Sequence, residues 1–92
     1  MSDQADIVRV VPVYVVIPPR VLLLDVAGPL EVLRKANLEQ HKLRFDVCYI
    51  GPASTVLSSI GLPVAGVEPL PEALPDDALV IVSGAADIPL GN

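Results

Sequence analysis

The chain has 92 residues, a net charge of -5 and six basic residues that are scattered along its length. This pattern excludes the basic surface with which proteins neutralise phosphates, so we expect no nucleic-acid binding through this chain alone. No apolar run reaches the ~18 residues that a membrane-spanning helix needs. The first residues carry acids instead of the basic flank of a signal peptide, which predicts a cytoplasmic protein without membrane association.

Size and hydropathy together predict a small α/β unit, or part of a larger one, that has a partner. A chain of this length buries only roughly 60 to 65% of its unfolded surface. Its mean hydropathy of +0.60 is high for such a domain, so part of the apolar surface is expected to meet another protein. The single cysteine, Cys48, excludes an internal disulfide and a multi-cysteine metal site, and the sequence predicts neither a metal nor a cofactor.

Three stretches of the chain are predicted to be buried β-strands. Residues 8–17 are an almost unbroken β-branched run, and residues 43–50 and 78–83 are two further apolar runs. Such runs are typical of a parallel sheet that is covered on both faces, and residues 13–17 are expected to lie between the two later strands. Pro12 cannot donate a ladder hydrogen bond, so the regular first strand is expected to begin after it.

A helix is predicted over residues 26–36, because apolar side chains recur there at helical spacing with charged residues on the other side. Its start has two alternatives. Either Asp25 is the cap and Pro29 lies in the first turn, or Gly28 is the cap and Pro29 is the first helical residue. Under both alternatives Asp25 lies at the mouth of the helix. Because strands flank it, the helix is expected to form a right-handed crossover.

The region between the second and third strands is predicted to hold a β-hairpin and a connector. Residues 55–58 and 62–65 are short extended pieces on either side of a turn. Residues 67–77 contain three prolines, so they hold at most a single helical turn at 72–74. The predicted fold class is therefore α/β, with a short parallel sheet, one long helix and a hairpin.

Asp25 and Gly84 are both expected near the carboxyl ends of strands, where open α/β sheets bind ligands. Asp25 interrupts an apolar sequence at the strand-to-helix edge, where an acid orients a nucleophile or holds a proton. The alternative is that Asp25 only caps the helix. The residues from Ser83 to Ala86 follow the last strand. Either their backbone N–H groups face an anion, or the segment is a plain turn.

The remaining polar candidates are interpreted as structural. Glu31 lies among basic residues and is expected on a solvated helix face. Cys48 lies within a strand and is expected to be a small core residue without an activating base. His41, the only histidine, lies in a polar turn, so no serine or cysteine triad is predicted.

A motif surrounds the expected start of the helix: Asp25, Gly28, Pro29, Glu31 and Val32 fit the pattern D-x-x-G-P-x-E-V. With the later stretches FDVCYIGPASTVLSSIGLPV and DDALVIVSGAAD, it resembles the opening half of the PfpI-type branch of the class I glutamine amidotransferase-like superfamily. The signature is shared by isocyanide-hydratase-like enzymes and by sensor domains of AraC-type transcription regulators. The similarity extends over nearly all of the chain.

The resemblance implies a flavodoxin-like sheet whose reactive cysteine stands on a nucleophile elbow, after a strand similar to residues 78–84. The chain ends before such an elbow, which argues against an enzymatic activity of its own. Asp25 resembles the acid that hydrogen-bonds the nucleophile, and Ser83, Gly84 and Ala85 stand where the family has a P-G-G turn. Ala85 replaces a glycine whose N–H helps to form the oxyanion site, and alanine is disfavoured there if the position needs a positive φ.

The function that the resemblance implies is ligand sensing. Residues 1–92 would be a single, truncated domain, the N-terminal half of the sensor of an AraC-type regulator without its helix-turn-helix domain. The expected site residues are the acid Asp25 and the ligand-binding positions Gly28, Pro29, Gly84 and Ala85, with a small molecule as ligand of the intact domain. Two alternatives are the front half of a PfpI-like or isocyanide-hydratase-like enzyme and a truncated interaction module.

A homodimer is expected because one long helix cannot cover both faces of a parallel sheet. Leaving one face of residues 13–17 and 78–82 in water exposes a few hundred Å² of apolar surface, at roughly 25 cal/mol per Å². The free-energy cost of this exposure is comparable with the whole stability of a small domain. The hairpin at 55–65 and the flank of the helix at 26–36 are the surfaces available to cover it, and family members that this chain resembles commonly dimerise.

Overall fold

The computed structural model describes residues 7–88 and 90, which form an α/β fold of the flavodoxin-like kind. A parallel four-stranded sheet carries one long helix, and an antiparallel hairpin packs beside it. The elements in chain order are β1 (Arg9–Val16), α1 (Leu23–Glu39), β2 (Leu43–Gly51), β3 (Thr55–Leu57), β4 (Pro63–Ala65), β5 (Glu68–Pro69) and β6 (Leu79–Val82).

The sheet has the strand order β5-β2-β1-β6, and every pair in it is parallel. The prediction that the first strand lies between the two later ones is confirmed, with Val13 beside both Val47 and Leu79. β5 lies in the stretch that was predicted to be a connector. It has two residues and pairs only with Ile50 and Gly51, so no local pattern marks it.

Pro12 lies inside β1, which begins at Arg9, so the prediction of a later start is wrong. The N–H of Arg9 donates to Lys42 O, so odd-numbered residues of β1 direct their N–H toward β2 and even-numbered ones toward β6. β6 begins only opposite Val13. The nitrogen of Pro12 therefore faces a side on which no strand is paired, and its missing N–H removes no ladder hydrogen bond.

The core lies between β1, α1 and the hairpin. Val13, Val15 and Ile17 of β1 and its extension are buried, together with Val56 of the hairpin. The helix contributes half-buried side chains to this core but has no fully buried residue. It therefore covers its face of the sheet incompletely.

The helix begins at Leu23, so both predicted starts are wrong. Its cap position is Leu22, whose side chain makes no capping hydrogen bond. The backbone N–H of Leu22 instead donates to Gly84 O at 2.9 Å, a contact between segments far apart in sequence. Pro29 is inside the helix, and Gly28 before it lacks the Cβ that would crowd the proline ring.

We expect Pro29→Ala to raise the free energy of unfolding by about 1–3 kcal/mol. Proline has no N–H to donate to the carbonyl of Asp25 four residues earlier, and alanine restores this donor. Urea denaturation measures the change, with the exposed Pro71 of the connector as the control: Pro71→Ala should stay within about 0.5 kcal/mol of wild type. A loss of stability in Pro29→Ala would mean that the ring contributes packing that outweighs the missing hydrogen bond.

The predicted hairpin is confirmed as β3 and β4, with Val56 paired to Val64. Its turn is held by Ser58, whose buried Oγ accepts hydrogen bonds from the N–H groups of Ile60 and Leu62. Gly61 has a φ of +83, a conformation that a residue with a Cβ rarely adopts. No helical turn forms at 72–74, in agreement with the limit of one turn that the prolines set.

The two faces of the sheet are covered unequally. α1 and the hairpin lie on the face of Val13 and Val15, and right-handed crossovers then put the link from β5 to β6 on the other face. In keeping with this, Ile50 is buried on that face outside the main core, whereas Val82 is 74% exposed. The apolar sheet surface that was expected to be left uncovered therefore lies mainly on β6. Among the described residues, no helix is long and apolar enough to cross a membrane.

Candidate ligand site at the carboxyl edge of the sheet

Three chain segments meet beyond the carboxyl ends of β1 and β6. Ala86 N–H donates to Arg20 O at 3.0 Å, and Val21 forms an isolated antiparallel bridge with Ala85. Ser59 N–H of the hairpin turn donates to Val21 O at 2.9 Å. The loop after β1 is thus held between the hairpin and the segment after β6. We call this convergence the rim.

Asp25 and Gly84, which are 59 positions apart in the chain, are hydrogen-bonded at the rim. The N–H of Gly84 donates to Oδ2 of Asp25 at 2.9 Å. A Cβ on Gly84 would lie 2.7 Å from that oxygen and 3.2 Å from Leu22 Cδ1. The sequence places glycine here because the carboxylate and the backbone approach too closely for any side chain.

Asp25 is therefore not the N-cap of α1, which was the structural alternative for this residue. It is the third residue of the helix and the acid of the first turn. A negative charge is favourable there because the first backbone N–H groups of a helix carry partial positive charge. One carboxylate oxygen accepts the Gly84 N–H, and the residue as a whole is exposed. Its second oxygen is open to a further donor.

The segment after β6 contains a buried side-chain oxygen that has no partner among the described residues. Ser83 is 4% exposed, and its Oγ makes no hydrogen bond to any described residue. A buried hydroxyl without a partner destabilises the fold, so it requires an explanation such as an ordered water or a ligand. The sequence marks Ser83 as a departure from the family pattern but does not predict this buried hydroxyl.

The backbone at Gly84 and Ala85 differs from a simple anion-binding turn. The Gly84 N–H is already engaged by Asp25 and is not available to an oxyanion. Among the described residues the only non-glycine with a positive φ is Arg20, so the objection to alanine at position 85 does not arise. Arg20 was not predicted. Its φ of 61 is a strained conformation at the rim, and no feature of the sequence indicates it.

The other candidate residues are distributed along α1 and β2. Gly28 and Pro29 lie one turn beyond Asp25 and are exposed. Glu31 forms an exposed ion pair with Arg34 at 2.7 Å, which confirms its interpretation as a solvated residue. Two further candidates lie elsewhere: Cys48 is half-buried in β2, and His41 is exposed after the helix, as expected.

Three cavities adjoin α1, and neither Asp25 nor Gly84 lines any of them. The smallest, of about 110 Å³, lies beside Asn37 at the end of the helix. Of the other two, the larger, of about 400 Å³, lies between α1 and β2, and the smaller, of about 220 Å³, lies between α1 and the hairpin. Both are lined mainly by aliphatic side chains and share Val26 and Tyr49. The charged groups of the larger cavity are Glu31 and Arg34, which neutralise each other. The chemistry therefore favours the rim over the larger cavity.

Within residues 7–88 and 90, no group of three or more His, Cys, Asp or Glu side chains is arranged to hold a metal ion. The polar groups of the rim are the carboxylate of Asp25, the guanidinium of Arg20, the hydroxyls of Ser59 and Ser83, and backbone N–H and C=O groups. This set suits the recognition of a small polar molecule by hydrogen bonds. It contains no nucleophile that is paired with a base.

The fold defines the chain as an open α/β sheet with a polar rim at its carboxyl edge. A comparison with solved structures finds a similar fold in the crystal structure of an AraC family transcriptional regulator from Pseudomonas putida, with a TM-score of 0.70 and 23% sequence identity. The similarity covers 89% of this chain and 51% of that chain. No protein-family model and no curated protein matches the sequence. The chain thus spans about half the length of the regulator whose fold it shares.

Proposed function

We propose that this chain is the N-terminal half of a ligand-sensing, amidotransferase-like domain of an AraC-type transcription regulator. The observation that carries the proposal is the hydrogen bond from Gly84 N–H to the Asp25 carboxylate, because it joins the acid of the motif to the glycine after β6 at the edge where open α/β sheets bind ligands. The shared fold with a regulator from Pseudomonas putida supports the regulatory class. The cytoplasm is the corresponding location.

Ligand sensing is favoured over catalysis by the groups at the rim. A sensor needs polar groups that fix one orientation of a small molecule, and the open oxygen of Asp25 and the unpartnered hydroxyl of Ser83 are such groups. A hydrolase or hydratase also needs a nucleophile with an activating base, and Cys48 lies within β2 and not at the rim. On this proposal the small-molecule ligand is recognised and not converted.

The first test is the reading frame beyond codon 92. A pair of helix-turn-helix motifs downstream of the sensor domain supports the regulator. A frame that continues through a nucleophile elbow and its helices and then stops supports the PfpI-like or isocyanide-hydratase-like enzyme instead. A stop codon directly after position 92 contradicts both and leaves a stand-alone interaction module.

We expect Ser83→Ala to separate the structural from the ligand-binding role of the rim. Removing a buried, unpartnered hydroxyl should raise the free energy of unfolding by about 1 kcal/mol in the absence of ligand. In a thermal-shift screen of low-molecular-weight metabolites on the protein from the complete frame, the same variant should lose most of the ligand-induced shift. The exposed Ser54 provides the control, since Ser54→Ala should change neither quantity. Undiminished ligand shifts in Ser83→Ala would remove the rim from the binding site.

We expect no hydrolase, hydratase or deglycase turnover from the 92-residue chain. An acid without a nucleophile supplies at most proton transfer and orientation, and these need a reacting group to act on. Sensitive assays with amide, isocyanide and glycated-amine substrates would measure this. Turnover that disappears in Asp25→Asn or in Cys48→Ser would contradict the proposal and would require a mechanism built on residues that are interpreted here as structural.

A further inference from the structure

The helix α1 is attached at its two ends to different parts of the fold. At its beginning, Leu22 N–H donates to Gly84 O at 2.9 Å, and Gly84 N–H donates to the Asp25 carboxylate at 2.9 Å. At its end, the side-chain amides of Asn37 and Gln40 each make two hydrogen bonds to the backbone of β2, at 2.7 to 3.0 Å. The leading segment of α1, residues 23–28, is therefore fixed to the rim, and the trailing segment, residues 30–39, is fixed to β2.

The helix is weakest between these two attachments, at Gly28 and Pro29. Proline has no N–H, so the carbonyl of Asp25 lacks the hydrogen bond that residue 29 would otherwise donate to it, whatever surrounds the helix. Glycine is the poorest helix former after proline. Outside the helix itself, a Cβ on Gly28 would meet nothing within 4 Å, so tertiary packing does not require glycine at this position. Two residues that weaken a helix interior thus lie side by side at the boundary of the two segments.

The packing beneath the leading segment is loose. Leu23 and Val26 are half-buried, and both line the cavity of about 220 Å³ between α1 and the hairpin. No residue of α1 is fully buried, and Leu24 is 83% exposed. The leading segment therefore has room to shift, because few close-packed neighbours oppose the movement.

We propose that the leading segment moves together with the rim and that Gly28 and Pro29 are the hinge between it and the trailing segment. A hinge concentrates a change of φ and ψ at a few positions, and a glycine beside a missing hydrogen bond offers the least resistance to such a change. The rim and the leading segment shift together because Leu22 and Asp25 bind the same residue, Gly84. The trailing segment stays with β2.

The hinge gives the rim a means of regulation, and this step rests on the proposed function. The second oxygen of Asp25 is open, so a ligand that binds it acts directly on the leading segment. The hinge confines the resulting movement to that segment and to the cavity beneath it. A contact at the rim thereby selects between two arrangements of the leading segment without disturbing the sheet.

Native-state hydrogen exchange of the 92-residue chain, without any ligand, measures the hinge. In an α-helix the amides of Ala27 and Gly28 donate within the leading segment, and those of Arg34 and Lys35 donate within the trailing segment. After correction for intrinsic rates, we expect the first pair to exchange faster than the second by roughly tenfold or more. Equal protection of the two pairs overturns the proposal.

Pro29→Ala distinguishes a hinge from ordinary fraying of a helix end. Alanine restores the N–H that donates to the Asp25 carbonyl, so exchange in the leading segment should slow by roughly tenfold relative to exchange in the trailing segment. Val32→Ala is the matched control, because it raises helix propensity at a position that is 67% exposed and lies beyond the hinge. This control should leave the relative rates unchanged. If it slows the leading segment as much as Pro29→Ala does, the segment only frays and the hinge is refuted.

Gly84→Ala tests the link between the leading segment and the rim. It breaks the hydrogen bond to Asp25, so exchange in the leading segment should accelerate by more than the loss of global stability explains. The trailing segment should follow global stability alone, and equal acceleration of both segments contradicts the proposal. Since no ligand is present, these outcomes bear on the hinge and not on sensing. A thermal-shift screen without a ligand would contradict only the sensing function.

Discussion

Replacing Gly84 with alanine is expected to lower the free energy of unfolding by about 1–3 kcal/mol. The new methyl group would lie 2.7 Å from Oδ2 of Asp25, so the carboxylate must rotate away. The rotation breaks the hydrogen bond from Gly84 N–H, and a contact of 3.2 Å with Leu22 Cδ1 limits any backbone adjustment. Urea denaturation followed by circular dichroism measures the loss.

A double-mutant cycle identifies the cause. Asp25→Ala alone should lower stability by about 1–2 kcal/mol because it also removes the acceptor of Gly84 N–H. In the Asp25→Ala background, Gly84→Ala should change the free energy of unfolding very little, because the carboxylate oxygen that the new methyl group would contact is absent. The coupling energy between the two changes should then be about 1 kcal/mol or more. Asp25→Asn retains an amide oxygen that accepts the same N–H, so it should be the mildest change. Additive losses would mean that the two residues do not act through their mutual contact.

Replacing Asn37 with alanine is the second change for which we expect a large effect, a loss of about 1–3 kcal/mol. The variant leaves both the N–H and the C=O of Phe45 without partners at a half-buried edge. The higher helix propensity of alanine offsets part of the loss. Exposure of the β2 edge should also make the chain aggregate at lower concentration.

Hydrogen exchange gives a direct readout of this second prediction. The amide of Phe45 should exchange faster in Asn37→Ala, whereas amides of β1 should change only as far as global stability does. Lys35→Ala is the control on the same helix, because its exposed ion pair with Glu39 contributes little. Unchanged exchange at Phe45 would mean that water replaces the amide without penalty and that Asn37 does not protect the edge.

Much of the fold could be predicted from local patterns. The apolar runs indicated where β1 and β6 lie and predicted a parallel sheet. The predicted burial of the last strand is wrong, because Leu79, Val80 and Val82 are exposed. The helix and the hairpin followed from spacing and from turn residues. The predicted parallel order placed Asp25 and Gly84 near the carboxyl ends of strands, and the hydrogen bond between them agrees with that expectation.

What the sequence by itself determined is the set of elements and their order, apart from the two-residue β5, since burial periodicity and turn chemistry are properties of neighbouring residues. Only the tertiary structure decided where α1 begins, because the Leu22 N–H is taken by Gly84 O and not by a side-chain cap. It also decided that Asp25 binds the Gly84 backbone and that Asn37 hydrogen-bonds the outer edge of β2. These are contacts between segments far apart in the chain or at strand edges, and no local pattern encodes which polar group will find which partner.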